Sequence, residues 1–465
     1  MTGKLDLPGF DNRGKVSVHD DKVLRRIAPE YRDRARELLE LFERHDLVAR
    51  GFAPTAIKED GSELVLQHPL YPITFPYEWP STALQVAALF HLKLLKELDT
   101  LELTLKDCLP ENIVFENGQP RFVDFLSLVR IEDLADEEWL GQHSNDPASL
   151  RKRIIRDMFE HYFLLPLLAY EADMADFARK ILRSHACRMQ ARRYELRDLV
   201  LACAPHRLPK LLYRIAQYVA AVSKAPPVCY ARLANIVGQI GLEDNLGYAL
   251  YYDQKGEEFG LDPSDAWKNK QHSVLRALLH FNAGSLIDIG ANTGWFSKLA
   301  ANNGYTVVAT DVDEPSLNSF FNTVRMQNLP ISVAKCEWAD LDLRTGLSGE
   351  PCEENAYFSS LLDRHKPDVI MMLGLIHHLT LGENRSFDSI FSLLFANCND
   401  GSIVEFIELE DELVAGNPGY FPHIKHWNAE NYSKNIAAET ASRYFKNIEL
   451  LPSHPTTRTI FLLQK

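Results

Sequence analysis

Apolar and polar positions along this chain follow two rhythms, and the change from one to the other divides it. Between Tyr31 and His45, residues Ala35, Leu38, Leu39 and Phe42 recur at i, i+3, i+4 and i+7, the stripe of an amphipathic helix. Residues 81–98 are apolar around most of the circumference, which predicts a buried helix with Ser81, following Pro80, as its candidate N-cap. Between these two, residues 64–74 are broken by Pro69 and Pro72 and read as strand and connector. Two short extended pieces, 112–115 and 121–125, flank Glu116-Asn117-Gly118-Gln119, where Asn-Gly predicts a hairpin. Residues 134–245 return to helical spacing, rich in Leu, Ala and Arg and punctuated by Pro147, Pro166, Pro205 and Pro226-Pro227.

From Leu286 onward the rhythm becomes short β-rich runs alternating with helical stretches. The runs lie at 285–289, 306–310, 331–335, 368–373, 402–408, 448–452 and 459–463. Seven such runs with interposed helices predict a doubly wound βαβ sheet that ends in an antiparallel pair. The pattern therefore sets out three regions: 1–133 of mixed α+β character, a helical connector 134–245, and an α/β region 246–465.

Candidate chemistry concentrates where the first of these strands ends. The run Leu-Ile-Asp288-Ile-Gly290-Ala-Asn292-Thr-Gly294-Trp295-Phe296 carries a strand through a glycine-containing turn into a helix. Gly290 and Gly294 let backbone approach a ligand closely, and the helix N-terminus faces the crevice beyond the strand. The next strand ends at Asp311, 23 residues after Asp288, an interval at which an acid grips ribose hydroxyls. The turn lacks the G-x-G-x-x-G over which a diphosphate sits, and the adjacent Asp288 repels phosphate. An acid there suits a ligand with an ammonium group.

These residues resemble the first motif of the class I S-adenosylmethionine-dependent methyltransferases, and the similarity covers about residues 267–465. The resemblance implies a Rossmann-like seven-stranded sheet and S-adenosylmethionine as cofactor. It assigns Asp288, Gly290, Asn292 and Gly294 to the methionyl part and Asp311 to the ribose, and counts Trp295, Phe296 and Leu373 among the cofactor-binding residues. The adenine contact falls within Cys336–Asp340, on Glu337 or on Asp340. After the fourth strand comes Leu373-Gly-Leu-Ile-His377-His378-Leu, and in the family this segment lines the reacting centre. Either His377 or His378 could then accept a proton from an oxygen or nitrogen acceptor, with backbone support at the strand end as the alternative. No N-P-P-Y or D-P-P-Y follows that strand, which disfavours methylation of an exocyclic base amine. The turn and the Leu-Ile-His-His-Leu segment are similar to ribosomal-protein methylases and to nodulation-type methyltransferases of rhizobia. The loop 415–427, aromatic and rich in Gly and Pro, has the composition of a substrate cap.

A second resemblance lies upstream. Asp107-x-x-x-x-Asn112 followed by Asp124 at a strand end is similar to the catalytic arrangement of protein kinases and aminoglycoside phosphotransferases, over about residues 15–225. There Asp107 would orient a hydroxyl while Asn112 and Asp124 held magnesium. The chain departs from that pattern: no glycine-rich phosphate loop precedes the region and no Lys-bearing strand is evident, Arg25 or Arg26 being the nearest substitute. A degenerate lobe serving docking or stability is the expectation. A bifunctional kinase–methyltransferase acting on a glycan or lipid-linked sugar, a cofactor-binding scaffold without turnover, and a chance match are the alternatives.

Charge and cysteines narrow the setting. The net charge of −14 over 465 residues argues against a chain coated for nucleic acid. The one candidate contact for nucleic acid is the basic stretch 179–214, where ten Lys and Arg face two acids. A solvated helical face docking on an acidic neighbour is the expectation there, with binding of an anionic substrate or RNA as the alternative. Seven scattered cysteines, none in a C-x-x-C pair, indicate reduced thiols. Residues 1–20 lack an apolar h-region and no run is long enough to span a bilayer, so the expectation is a cytoplasmic protein without a membrane span or metal.

Overall fold

The computed structural model describes residues 5–7, 13–19, 22–186, 194–242, 260–341 and 360–465. They form two compact units, one within residues 1–243 and the other within 244–465.

The first unit opens with an antiparallel sheet of five strands in the order β1-β2-β3-β5-β4, built from β1 (Leu5–Leu7), β2 (Gly14–His19), β3 (Lys22–Ile27), β4 (Ala56–Asp60) and β5 (Leu64–Pro69). The helix Arg32–Arg44 buries the expected stripe, Ala35, Leu38, Leu39 and Phe42 together with Leu41. Phe42 sets its ring edge-on against Phe52 at 5.5 Å and Phe125 at 5.8 Å. The second helix spans Ser81–Asp99, and here the structure corrects one expectation. Pro80 takes the N-cap position with φ −62° and ψ 154°, and Ser81 is the first helical residue. The ring of Pro80 already fixes the extended backbone that a cap needs, so the helix starts without a capping side chain. Two small ladders follow, β6 (Leu103–Leu105) with β9 (Leu128–Arg130) and β7 (Ile113–Glu116) with β8 (Gln119–Phe122). Asn117 and Gly118 turn the second hairpin with φ 51° and 73°, the left-handed pair that a type I′ turn requires. The helices that follow are part of this same unit. Gln85 Nε2 in the Ser81–Asp99 helix donates to the carbonyls of Val237 (2.8 Å) and Ile240 (3.0 Å).

The second unit is a seven-stranded sheet in the order β12-β11-β10-β13-β14-β16-β15. Its strands are β10 (Ser285–Ile289), β11 (Thr306–Asp311), β12 (Ile331–Lys335), β13 (Val369–Met372), β14 (Gly401–Ile407), β15 (Asn447–Pro452) and β16 (Arg458–Gln464). The first five run parallel, and β16 inserts antiparallel between β14 and β15. Helices cover both faces, which is why β13 and β14 are buried along their whole length and read as continuous apolar runs. The chain steps from β10 to β11 and β12 on one side and returns to β13 and β14 on the other. Strand order therefore reverses at β10, and a doubly wound sheet opens its ligand crevice beyond the strand ends at that point. Among the described residues no helix is long and apolar enough to cross a membrane.

Candidate active site

Four chain segments meet at the reversal: the turn after β10, the end of β11, the turn after β13, and the helix Asn269–His280 that precedes β10. Asp288, the fourth residue of β10, is 2% exposed, and its Oδ2 accepts a 2.6 Å bond from the Ser297 hydroxyl. Burial pushes its carboxyl up to about 7, with the nearby Asp311 adding to the rise while Ser297 and Lys270 oppose it.

The turn then takes left-handed backbone at three of five positions, Gly290 (φ 81°), Asn292 (φ 53°) and Gly294 (φ 77°). Gly294 is held to glycine twice over, because a Cβ there would also stand 1.9 Å from the ring of Phe320. Hydrogen bonds tie this turn to β11. The amides of Gly290 and Ala291 both donate to the Thr310 carbonyl, at 2.8 and 2.9 Å. The Asn292 amide donates to Asp311 Oδ2 at 2.7 Å, while Asp311 Oδ1 accepts from the amides of Val312 (2.7 Å) and Asp313 (3.0 Å). Asp311 is therefore a keystone of the turn as well as an acid at the strand end. Its carboxyl is raised by burial against those three amides, which lower it. The Asn292 side chain accepts from the Thr293 amide at 2.7 Å and so braces the turn.

Trp295 and Phe296 open the helix Trp295–Asn302 and are buried, their rings edge-to-face at 4.8 Å, with Trp267 against Trp295 at 5.7 Å. Past β12, Glu337 is exposed and Asp340 lies half-buried in the short helix Trp338–Leu341, so both alternatives stay at the far rim.

Leu373, Gly374 and the two histidines follow β13. His377 is 5% exposed, its Nδ1 has no hydrogen-bond partner among the described residues, and its ring lies 4.1 Å from that of His378, which is exposed to solvent. Burial holds His377 well below the usual imidazole range, and the charges of His378 and Arg458 add to this; burial also lowers His378. At neutral pH both rings are uncharged with a lone pair available. Phe421, from the loop 415–427, covers them at 5.5 and 5.4 Å. Beneath that loop Arg458 makes a two-pronged pair with Asp411 (2.8 and 3.0 Å), and Thr457 adds a third bond.

Sequence reasoning passed over Lys270, whose Nζ makes a 2.7 Å ion pair with Glu405 on β14 and stands 5.2 Å over the Phe296 ring. A single lysine in an amphipathic helix carries no motif signal. Only the fold brings it to the crevice.

In the first unit the structure brings Asp107, Asn112 and Asp124 into one neighbourhood. Asp107 Oδ1 accepts from Asn112 Nδ2 (2.8 Å) and from the Ser127 hydroxyl (3.1 Å). Burial, aided by Asp124, raises Asp107 to about 7. Arg25 on β3 reaches Asp124 Oδ1 at 3.1 Å, while Arg26 points to Glu63 instead. Of the basic stretch, residues 187–193 lie outside the described residues. Arg197 pairs with Glu195, Arg207 approaches Asp173, and both Lys210 and Arg214 pair with Glu171. Cys108, Cys203, Cys229, Cys336 and Cys398 are free thiols, and Cys187 and Cys352 lie outside the described residues. Among the described residues no cluster of His, Cys, Asp and Glu could hold a metal ion.

Sheet order, turn and strand-end acid together define a class I S-adenosylmethionine-dependent methyltransferase, with the second unit as its transferase domain. Residues 265–447 match the family model described as a methyltransferase domain. Along nearly its whole length the chain is similar to nodulation protein NoeA of Rhizobium meliloti (strain 1021), 25% identical over 492 residues, covering 98% of this chain and 94% of that protein. Two solved structures align more loosely. Magnesium protoporphyrin IX methyltransferase of Synechocystis PCC 6803 is 14% identical, covering 47% of this chain and 93% of its own, with a TM-score of 0.31. Phosphoethanolamine N-methyltransferase 2 of Haemonchus contortus is 15% identical, covering 48% and 46%, with a TM-score of 0.31.

Proposed function

We propose that the second unit binds S-adenosylmethionine across the reversal at β10 and transfers its methyl group to an oxygen or nitrogen of an acceptor held beside His377 and His378. The observation that carries this reading is the turn itself: left-handed Gly290, Asn292 and Gly294 shape it after β10, and the Asn292 amide ties it to Asp311 at the end of β11. In it, Asp288, Gly290, Asn292, Gly294, Trp295, Phe296 and Leu373 form the wall for the methionyl part, Asp311 takes the ribose hydroxyls, and Glu337 or Asp340 the adenine edge. The cofactor brings an activated methyl group, so the protein need only align the acceptor and, for a hydroxyl, receive its proton.

Calorimetry with S-adenosylhomocysteine tests the site, and its pH dependence gives a second readout. Asp288 titrates near 7, and only its charged form attracts an ammonium group. Affinity is expected to rise up to about tenfold per pH unit below that point and to level off above it. It then falls as the ligand amine, with an ordinary pKa of ~7.7–8.0, loses its proton. An affinity unchanged between pH 5.5 and 7.5 removes Asp288 from ammonium recognition.

For the first unit we propose a kinase-like lobe that does not transfer phosphate. Asp124 is engaged by Arg25, so a cation of the protein already stands where a magnesium ion would be needed. The expected result is no ATP hydrolysis or autophosphorylation above background. A signal that disappears in Asp124→Ala would instead establish the bifunctional kinase–methyltransferase. The end-to-end likeness to a nodulation protein supports treating both units as one functional chain in such a process, with a glycan or lipid-linked sugar among its candidate acceptors.

A further inference from the structure

One cation stands in the crevice without a role in the reading above. Lys270 enters from the helix Asn269–His280, and its side chain is 17% exposed. Its partner Glu405 is fully buried, with Oε2 at 2.7 Å from Nζ and Oε1 accepting the Ser453 hydroxyl at 2.7 Å. Glu405 is thereby satisfied at both oxygens, and the ammonium is pinned in one place by a carboxylate that cannot swing away. An ammonium has three N–H donors, of which Glu405 takes one. The charge of Lys270 lowers both the Asp288 carboxyl and the His377 imidazole. Nζ also lies over the ring of Phe296, the second residue of the helix that leaves the glycine turn.

A buried acid at the end of β10 and a fixed cation whose charge that acid feels offer the two poles of a receptor for a zwitterion. We propose that Lys270, held in place by Glu405 and Ser453, binds the carboxylate of the donor's methionyl part while Asp288 faces its ammonium. Glu405 acts here as a positioning residue, because its contact with the ligand runs through Lys270. A purely structural pair would neutralise Glu405 and have no preference among ligands. A receptor discriminates by the carboxylate. The inference rests on the donor site proposed above, and the experiment separates the two.

Affinities of the full-length protein are measured by calorimetry for S-adenosylmethionine and for its decarboxylated analogue, which keeps the sulfonium, adenosine and ammonium. Wild type should prefer the carboxylated ligand. Lys270→Met should lose about 10–100-fold in affinity for it, the worth of charge-assisted hydrogen bonds, while binding the analogue as wild type does. Lys270→Arg, which keeps the charge, should recover most of the preference, and Glu405→Gln should reduce it without abolishing it. The melting temperature of each variant reports whether the fold survives. Equal preference in wild type and Lys270→Met overturns the assignment, as does an equal loss for both ligands in a folded Lys270→Met. Failure of wild type to bind either ligand at millimolar concentration sinks the donor site itself, a result distinct from the other two.

Discussion

Replacing His377 by alanine is expected to lower turnover by about 10²–10⁴-fold while donor affinity stays within a few-fold of wild type, the range that positioned acid–base groups contribute. The geometry favours His377 over its neighbour. It sits on the turn that leaves β13 beside the donor crevice, it is buried, and its Nδ1 has no partner among the described residues. A buried polar atom left unsatisfied costs about 1–3 kcal/mol, and an acceptor hydroxyl or amine donating to it would remove that cost. Burial keeps the ring neutral, so the lone pair is available throughout the physiological range, and the rate at saturating donor should be flat rather than rising from pH 6 to 8. His378, exposed and tilted against His377, is expected to matter less: His378→Gln should change turnover by under tenfold. The measurement is turnover and donor binding for His377→Ala, His377→Gln and His378→Gln once an acceptor is in hand. Full turnover in both His377 variants would show that alignment alone carries the reaction. Loss of donor binding together with folding would make His377 a support of the strand end.

The second unit was largely legible in advance because its chemistry is sequential. Strand, turn, helix and next strand lie within residues 285–311, and glycine and acid mark the turn whatever surrounds it. The alternation of β-rich runs with helices likewise announced the parallel sheet and its antiparallel closing pair. Of the antiparallel sheet of the first unit only β5, within residues 64–74, was announced. β3 is Lys-Val-Leu-Arg-Arg-Ile with most side chains half-buried, and β4 is Ala-Ile-Lys-Glu-Asp, exposed throughout on the sheet edge. Strands so rich in charge carry little hydrophobic periodicity, whether interior like β3 or at the edge like β4, so pairing rather than pattern defines them. Arg25 shows the same limit, since its role as partner of Asp124 depends on β3 facing the hairpin that precedes Asp124. Lys270 and Glu405, 135 residues apart, could not have been joined by spacing, and Ser453 adds a third distant segment. The histidine pair stood out in the sequence, yet only burial separates the two rings into an enclosed one and an exposed one.

Asp311→Ala is the substitution expected to damage the donor site most. Its carboxylate accepts from the amides of Asn292, Val312 and Asp313, binding the glycine turn to the end of β11, and three hydrogen bonds leave one lone pair of about four for a ligand hydroxyl. Alanine removes the ribose contact, worth ~1.5–3 kcal/mol for a charged acceptor, and strands three amides at once. The Asn292 amide suffers most, because that residue is held at φ 53° and has no reason to stay there without its acceptor. Affinity for S-adenosylhomocysteine should fall by more than about 300-fold, beyond the roughly 150-fold that 3 kcal/mol of ribose contact explains, since the turn must be reordered before it can bind. Asp311→Asn separates the two contributions. An amide retains one acceptor oxygen, so it can hold either the Asn292 side or the Val312–Asp313 side of the turn but not both, and the loss should be intermediate. Calorimetry across the three proteins, with hydrogen exchange at residues 290–294, distinguishes the outcomes. If Asp311→Ala binds as tightly as wild type, the ribose assignment is wrong. If it binds weakly while the turn keeps full protection, Asp311 acts on the ligand alone and its role in holding the turn falls away.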